Sequence, residues 1–315
     1  MYHDHLLSTA LATLPPSRRP TPTPHTRYTK HWTSRSPLYH RTAILLQTIT
    51  YTELLWEMAA KRKGERVRWH VVVFLEAVKA LCRLVLLRVT GSRPLVGVPL
   101  PVREDVAVLE NDDAKAERDD AGETEEQDAE KPWTMPRTGM ALPSLPGAAD
   151  ISSYLLSHVL TPDDIKPPTA LLRQLSSSRG TLAEVLYLLR PVIYAYALAR
   201  CHLDESRDRK KEWWPWLLGF GIEFAARRLM KQDLESRVSG GLRGCTVLEK
   251  EEVTRRGWAM GWWMMRGAFY ENITKGWVHG VTDKMRDKPL INLAGTILED
   301  YEFLWDQYYF PTATL

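Results

Sequence analysis

Residues that form covalent or metal cross-links are scarce in this chain of 315 residues. Its three cysteines, Cys82, Cys201 and Cys245, are far apart and odd in number. They provide neither a disulfide framework nor a CxxC pair of zinc ligands, and a reducing compartment fits this usage. The first residues also lack the basic start and the long apolar stretch of a secretory signal, so we expect no such signal.

Patterns that carry catalysis are missing as well. The sequence contains no GxSxG motif and no Walker loop. The HDH at residues 3–5 is followed by neither HExxH nor a carboxylate-rich helix. We therefore predict a protein that is not an enzyme. We expect no catalytic, cofactor-binding or metal-binding residues, no cofactor and no small-molecule substrate.

Alternating apolar and polar residues, which would predict strands, form no convincing series here. Apolar residues instead recur every three to four positions, as they do in amphipathic helices. The predicted fold class is all-α, a multi-helix bundle with amphipathic, membrane-associated helices and a disordered acidic insertion. The helical patterns cover residues 42–60, 66–90, 182–201, 213–231, 246–270 and 289–310.

Acidic charge is concentrated in one segment. Residues 104–130 hold thirteen acidic residues against two basic ones, whereas the whole chain has a net charge of +3. The remaining parts are therefore basic, which favours contact with an anionic surface, either lipid headgroups or nucleic acid. The composition predicts a flexible segment at 1–40, helical parts at 41–102 and 151–315 that form one domain, and a disordered insertion at 103–150.

The helix at 66–90 is broadly apolar with a charged stripe. Arg68, Glu76, Lys79, Arg83 and Thr90 fall within one arc at helical spacing. This helix could lie in three environments: in a protein core with the stripe as its solvated rim, on a membrane surface, or across a membrane. Spanning is disfavoured, because each central charge costs roughly 2.5–3.5 kcal/mol, against about 0.3–0.6 kcal/mol gained for each large aliphatic residue.

Short local signals predict where helices begin, end or bend. Gly91 is placed to end the 66–90 helix. The spacings Thr181–Glu184 and Thr246–Glu249 match capping boxes. Pro191 predicts a kink or break in its helix, and Pro215 suits a first helical turn.

Tryptophan is concentrated late in the chain, where eight of twelve lie between residues 213 and 305. Several adjoin Lys or Arg, a pattern found in the interfacial belts of membrane proteins, and also in protein interfaces and cores. If any part spans a bilayer, it is a hairpin of 182–201 and 213–231, in which Arg190 can pair with Glu223. A re-entrant or surface-bound hairpin is favoured over a span, because the charged link between the segments resists export.

Taken together, long composite motifs resemble the peroxin 16 family of peroxisomal membrane-assembly proteins. They run in order from residue 51 to residue 310, apart from the acidic insertion. Family members carry a further N-terminal helical part before a segment like YHDHLL, so this chain resembles a copy without it. The motifs are YTELLWEMAAKRKGERVRWHVVVFLEAVKALCRLVLLRVTGSRPLVGVPLP, LLRPVIYAYAL, WWPWLLGFGIEFAARRL, RRGWAMGWWMMRGAFY and LEDYEFLWDQYYF.

The resemblance implies a non-enzymatic role at the peroxisomal membrane, reached through the endoplasmic reticulum. Its expected partners are membrane lipids and other peroxins, above all the docking factor that receives newly made peroxisomal membrane proteins, and not nucleic acid. Regulation of peroxisome division is one alternative, and a soluble helical scaffold that binds proteins or nucleic acid through basic faces is another. By matched motif, the candidate membrane or partner contacts are Lys79, Arg83, Arg88, Arg190, Pro191, Trp213, Trp214, Pro215 and Trp216.

Overall fold

The computed structural model describes residues 23–102, 163, 166–175, 177–203, 209–237, 244–285, 301–302 and 308–313. The regular structure of these residues is helical and includes no strand, which confirms the all-α prediction. The chain divides into two compact units, residues 1–26 with 101–165 and residues 27–100 with 166–315. Nearly all described residues belong to the second unit. The predicted acidic insertion at 103–150 lies outside the described residues.

The helices are α1 Pro24–Arg35, α2 Pro37–Lys61, α3 Glu65–Val89, α4 Ser178–Leu203, α5 Arg209–Arg237, α6 Val247–Gly261 and α7 Lys275–Met285. Short turns complete the described structure: 3₁₀ turns at Pro168–Ala170 and Trp262–Met265, a π-helical turn at Tyr270–Thr274, and single α turns at Gly267–Phe269 and Phe310–Ala313. Of the helix predicted at 289–310, residues 301–302 are described as helical and most others lie outside the described part.

Helix α1 overturns the prediction of a loop at its position. The stretch is rich in threonine and basic residues, which favours a linker by composition. Tyr28 and Trp32 nevertheless lie one turn apart on α1 and are both buried, against Tyr39 of α2. Burial of these two large aromatic side chains stabilises the helix, since each buries a large apolar area. This packing outweighs the local preference for a linker that the composition indicates.

Capping residues set several helix ends, and two of them, Gly91 and the Thr246–Glu249 box, were predicted from the sequence. The side chain of Ser36 accepts the N–H of Tyr39, which begins α2. Gly91 follows α3 with a φ of 70°, a left-handed conformation that glycine adopts without strain. The Thr246–Glu249 capping box at the start of α6 is confirmed in both of its hydrogen bonds.

Helices α4 and α5 form an antiparallel pair. Gly180, early in α4, lies against Asp233, late in α5, whereas Arg190 pairs with Glu223 nearer the middle of both. Pro191 lies inside α4, which continues past it, so of the predicted kink or break the break was wrong.

Two further sequence signals in these helices were misleading. The helix α4 begins at Ser178, ahead of Thr181, so the predicted capping box does not form its start. The Glu184 carboxylate instead accepts from the N–H of Leu95 and pairs with an arginine of α6. Pro215 lies well inside α5, because that helix begins at Arg209 rather than at the tryptophan cluster.

Buried apolar residues form two main clusters. The first joins α1, α2 and α3 to the segment after the 3₁₀ turn at Pro168–Ala170, and it is centred on Leu86 and Leu171. The second joins α3, α4, the 3₁₀ turn at Trp262–Met265 and the last helical turn. It contains Trp69, Val72, Leu75, Tyr194, Ala195, Ala199, Trp263, Tyr309 and Phe310.

Candidate functional site

The charged stripe of α3 faces the interior. Lys79 is only 2% exposed. Its Nζ lies 2.7 Å from a carboxylate oxygen of Glu53 in α2 and 2.9 Å from one of Glu76. The prediction that this stripe forms a solvated or lipid-facing rim was therefore wrong for Glu76 and Lys79. The physical reason is that carboxylates on both helices offset the cost of burying the ammonium group.

A second buried pair lies one turn further along α2. The guanidinium of Arg68 lies 2.9 Å from Glu57, whose carboxylate also accepts the backbone N–H groups of Tyr309 and Phe310. Sequence reasoning did not single out Glu53 or Glu57. Their i, i+4 spacing places both carboxylates on one face of α2, but the sequence does not show which bases that face meets.

Burial also changes the acidity of Glu53. Desolvation raises its pKa to about 7, although the charge and hydrogen bond of Lys79 act in the opposite direction. Glu53 therefore exchanges a proton near neutral pH. The carboxyl lies inside the helix bundle, so we interpret this titration as a property of the fold rather than of a catalytic group.

The exposed residues of α3 include an apolar row, and the exposed bases Arg66 and Arg88 lie near the ends of the helix. Phe74 and Leu81, seven residues apart, are both more than half exposed, and Val67 continues the same row. On α2, Tyr51 and Leu55 are exposed as well. Exposed apolar side chains in such rows are typical of surfaces that contact a membrane or another protein.

One ion pair and an indole hydrogen bond meet at a single carboxylate between α4 and α5. Nη1 of Arg190 lies 2.5 Å from Oε2 of Glu223, and the indole N–H of Trp263 donates to the same oxygen. This confirms the expectation that Arg190 pairs with Glu223. Arg190 and Pro191 are buried, so in this structure they are not presented to a membrane or partner.

The tryptophan cluster of α5 divides between interior and surface. Trp216 stacks on Phe220 and donates its indole N–H to the carbonyl oxygen of Trp263 at 2.9 Å. Trp213 packs edge-on against Trp216. Trp214 is 56% exposed, because it points to the other side of the helix.

Exposed residues continue along α5 at helical spacing from Trp214. We call this row the α5 stripe: Trp214, Leu217, Phe224, Arg228 and Lys231. Its first half is apolar and its second half is basic. Of the other predicted contact residues, Pro215 is buried, Arg83 is half-buried and Arg88 is exposed. Their roles as membrane or partner contacts stay predictions.

Within the part of the chain that the structure describes, α4 alone is long and apolar enough to cross a membrane. Half of its most apolar stretch is buried among other helices of the protein. Length and composition of this kind are also found in the core helices of soluble proteins, so the membrane-spanning hairpin stays a prediction.

The sequence of this chain is similar to those of known proteins. The family model described as "Peroxisomal membrane protein (Pex16)" matches residues 1–307. The chain belongs to the Pex16 family. It is similar to "Peroxisome biogenesis protein 16" of Arabidopsis thaliana, with 23% identity over 293 residues, which cover 84% of this chain and 77% of that protein. No solved structure shows a significant match.

Membership of the Pex16 family confirms the resemblance that the motifs indicated. It makes the chain a peroxisomal membrane protein with a role in peroxisome biogenesis. The α5 stripe and the apolar row of α3 are thus exposed surfaces of a protein whose family acts at a membrane.

Proposed function

We propose that this chain is a non-enzymatic assembly factor that lies on the peroxisomal membrane through the α5 stripe. There it helps to recruit the docking factor that receives newly made peroxisomal membrane proteins. Family membership supports the biogenesis role. We infer the membrane contact from the exposed row of apolar and basic side chains between Trp214 and Lys231.

The composition of the α5 stripe suits the boundary between headgroups and acyl chains. Tryptophan and large apolar side chains partition into this boundary, while basic side chains reach anionic headgroups. Each Lys or Arg near an anionic surface contributes about 1 kcal/mol, which salt screens. The two basic residues, Arg228 and Lys231, lie one turn apart at the C-terminal end of the stripe, where their long side chains can reach the headgroups while the apolar end enters the boundary.

Vesicle flotation tests the membrane contact. The triple variant Trp214→Ser, Leu217→Ser, Phe224→Ser should bind anionic vesicles much more weakly than the unaltered chain. The double variant Leu38→Ser, Leu45→Ser is the control, because it removes similarly exposed apolar side chains from α2 that belong to none of the rows described above. Equal binding by a folded triple variant and the unaltered chain would rule out the α5 stripe as the membrane contact.

Recruitment is tested in cells that lack their own copy of this protein. The unaltered chain should restore the docking factor to peroxisomal membranes, seen by fluorescence. The triple variant should stay in the cytosol and restore little. If the triple variant reaches the membrane but does not recruit, the stripe contacts the docking factor rather than lipid.

Surface attachment and spanning differ in where the link between α4 and α5 lies. A cysteine introduced at Ser206, with the native cysteines replaced, can be probed on intact organelles with a membrane-impermeant maleimide. A surface-bound hairpin should be labelled from the cytosolic side without detergent. Labelling only after detergent would favour a spanning hairpin with cytosolic termini.

A further inference from the structure

A cleft of about 70 Å³ lies between α3, α4, α6 and the extended segment near Gly97. A water molecule occupies roughly 10–15 Å³ by the same measure, so the cleft has room for about five waters or a small oxyanion with its hydration. Arginine dominates the polar lining of this cleft, which neither the resemblance nor the family description assigns to any ligand. Its arginines are Arg83, Arg190, Arg255 and Arg256.

Three of these arginines have a carboxylate partner. Arg190 pairs with Glu223, and Arg256 pairs with Glu184 at 2.7 Å. Arg255 pairs in the same way with Glu252 on its own helix.

Arg83 differs from the other three arginines. It interacts electrostatically with Glu53, but it makes no ion pair with any carboxylate of the described residues. That carboxylate already binds the ammonium group of Lys79. The residues that line the cleft thus include four guanidinium groups and no carboxylate, although the carboxylates paired with three of them offset most of their charge.

Two buried donors are available in addition to this charge. Arg190 is 4% exposed and Arg256 is 8% exposed. The Nε–H group of each has no hydrogen-bond partner among the described residues. A buried donor without a partner destabilises the protein, so an acceptor that reaches either Nε–H group gains a hydrogen bond that the protein itself does not supply.

Tyr187 holds these two like charges close together. Its ring centroid lies 4.7 Å from the guanidinium carbon of Arg190 and 4.5 Å from that of Arg256. Cation–π contact partly offsets the repulsion between them.

We propose that this cleft binds a phosphate group, carried by a phospholipid headgroup or present as free phosphate. Guanidinium groups bind phosphate oxygens through paired, charge-assisted hydrogen bonds, and planar arginine suits this geometry better than lysine does. Arg83 and Arg255, which are more exposed, meet the anion at the mouth. The buried Nε–H donors of Arg190 and Arg256 complete the site. The proposal is independent of the α5 stripe, because no residue of that stripe lines the cleft.

Binding of inorganic phosphate to the full chain is the first test. Phosphate should raise the melting temperature and give a measurable heat of binding, whereas chloride at equal ionic strength should not. The variant Arg83→Gln should weaken phosphate binding by about tenfold to a hundredfold, as expected for a charged hydrogen bond. Arg41→Gln is the matched control, since it removes an exposed arginine of α2 outside the cleft.

The second test separates the two sources of phosphate. Vesicles of phosphatidylcholine with phosphatidic acid are compared with vesicles that carry the same fraction of phosphatidylserine. A headgroup ligand predicts that Arg83→Gln reduces binding to the phosphatidic acid vesicles more than Arg41→Gln does. If only inorganic phosphate binding falls, the site takes the free anion.

Folding of the variants is checked by circular dichroism, and Arg255→Gln provides a second, half-exposed position if Arg83→Gln does not fold. Phosphate binding that neither Arg83→Gln nor Arg255→Gln weakens would overturn the proposal. The absence of any phosphate-specific effect on the unaltered chain would overturn it as well.

Discussion

The carboxylate of Glu57 accepts the backbone N–H of Tyr309 at 2.8 Å, although the two residues are 252 positions apart. The same carboxylate binds the guanidinium of Arg68. One buried acid thus joins α2, α3 and the last helical turn. Tyr309 then packs its ring against Trp69 and Tyr194, so the segment near the end of the described chain closes the second apolar cluster.

The Glu57 contact predicts a large and graded effect of substitution. Glu57→Ala should lower the free energy of unfolding by about 3–5 kcal/mol, because it removes the buried carboxylate that binds the Arg68 guanidinium and the backbone N–H groups of Tyr309 and Phe310. Glu57→Gln should cost less, since its amide oxygen still accepts a hydrogen bond. Chemical denaturation measures both. Equal stability of Glu57→Ala and the unaltered chain would contradict the role of this carboxylate in holding the last turn.

Substitution by alanine should have opposite effects on stability at two glycines of α5. A Cβ at Gly219 would lie 2.3 Å from the ring of Trp263, so Gly219→Ala should destabilise by about 1–3 kcal/mol through overpacking. At Gly221 a Cβ meets nothing within 4 Å, so Gly221→Ala should stabilise by up to about 1 kcal/mol through helix propensity. Thermal unfolding of the pair is the measurement. Loss of stability in both variants would mean that the close approach of Trp263 is not the cause.

The raised pKa of Glu53 predicts a pH dependence of stability. The pKa rises from 4.5 to about 7 on folding, so the folded state binds the proton more tightly than the unfolded state does. The contribution of this group is fully present below pH 4.5 and is lost as pH rises through about 7. Glu53→Gln does not titrate. As pH rises from 4.5 to about 7, the unaltered chain should therefore lose free energy of unfolding relative to Glu53→Gln, as measured by denaturant at each pH. A constant difference across that range would show that Glu53 does not titrate in it.

Thr246 is predicted to matter beyond its capping role. Its side chain accepts the N–H of Glu249 and also donates to the carbonyl oxygen of Leu171 at 2.6 Å. Thr246→Ala should cost about 1–2 kcal/mol, the upper range for a lost cap, because it also removes that second buried bond. Thr246→Ser retains the hydroxyl and should cost clearly less. If the two variants unfold at the same denaturant concentration, the hydroxyl contributes little.

The sequence by itself determined the all-α class, most helix positions and the family. These rest on local signals, such as the left-handed Gly91 and the Thr246 capping box, or on long motifs that need no three-dimensional information. The pairing of Arg190 with Glu223 was one possibility in the sequence, but Arg227 stands four residues after Glu223 and could pair with the same carboxylate, so packing decided between them.

Only the tertiary structure decided which face of α3 is buried. A stripe with Glu76 and Lys79 is typical of a solvated face. It is buried here because a carboxylate of α2, Glu53, contacts Lys79, and this contact depends on how α2 packs. The arginine cleft has the same origin, since Arg83, Arg190 and Arg256 come from three helices. Helical periodicity describes one helix at a time, whereas the free energy of a buried charge depends on partners that packing brings from elsewhere in the chain.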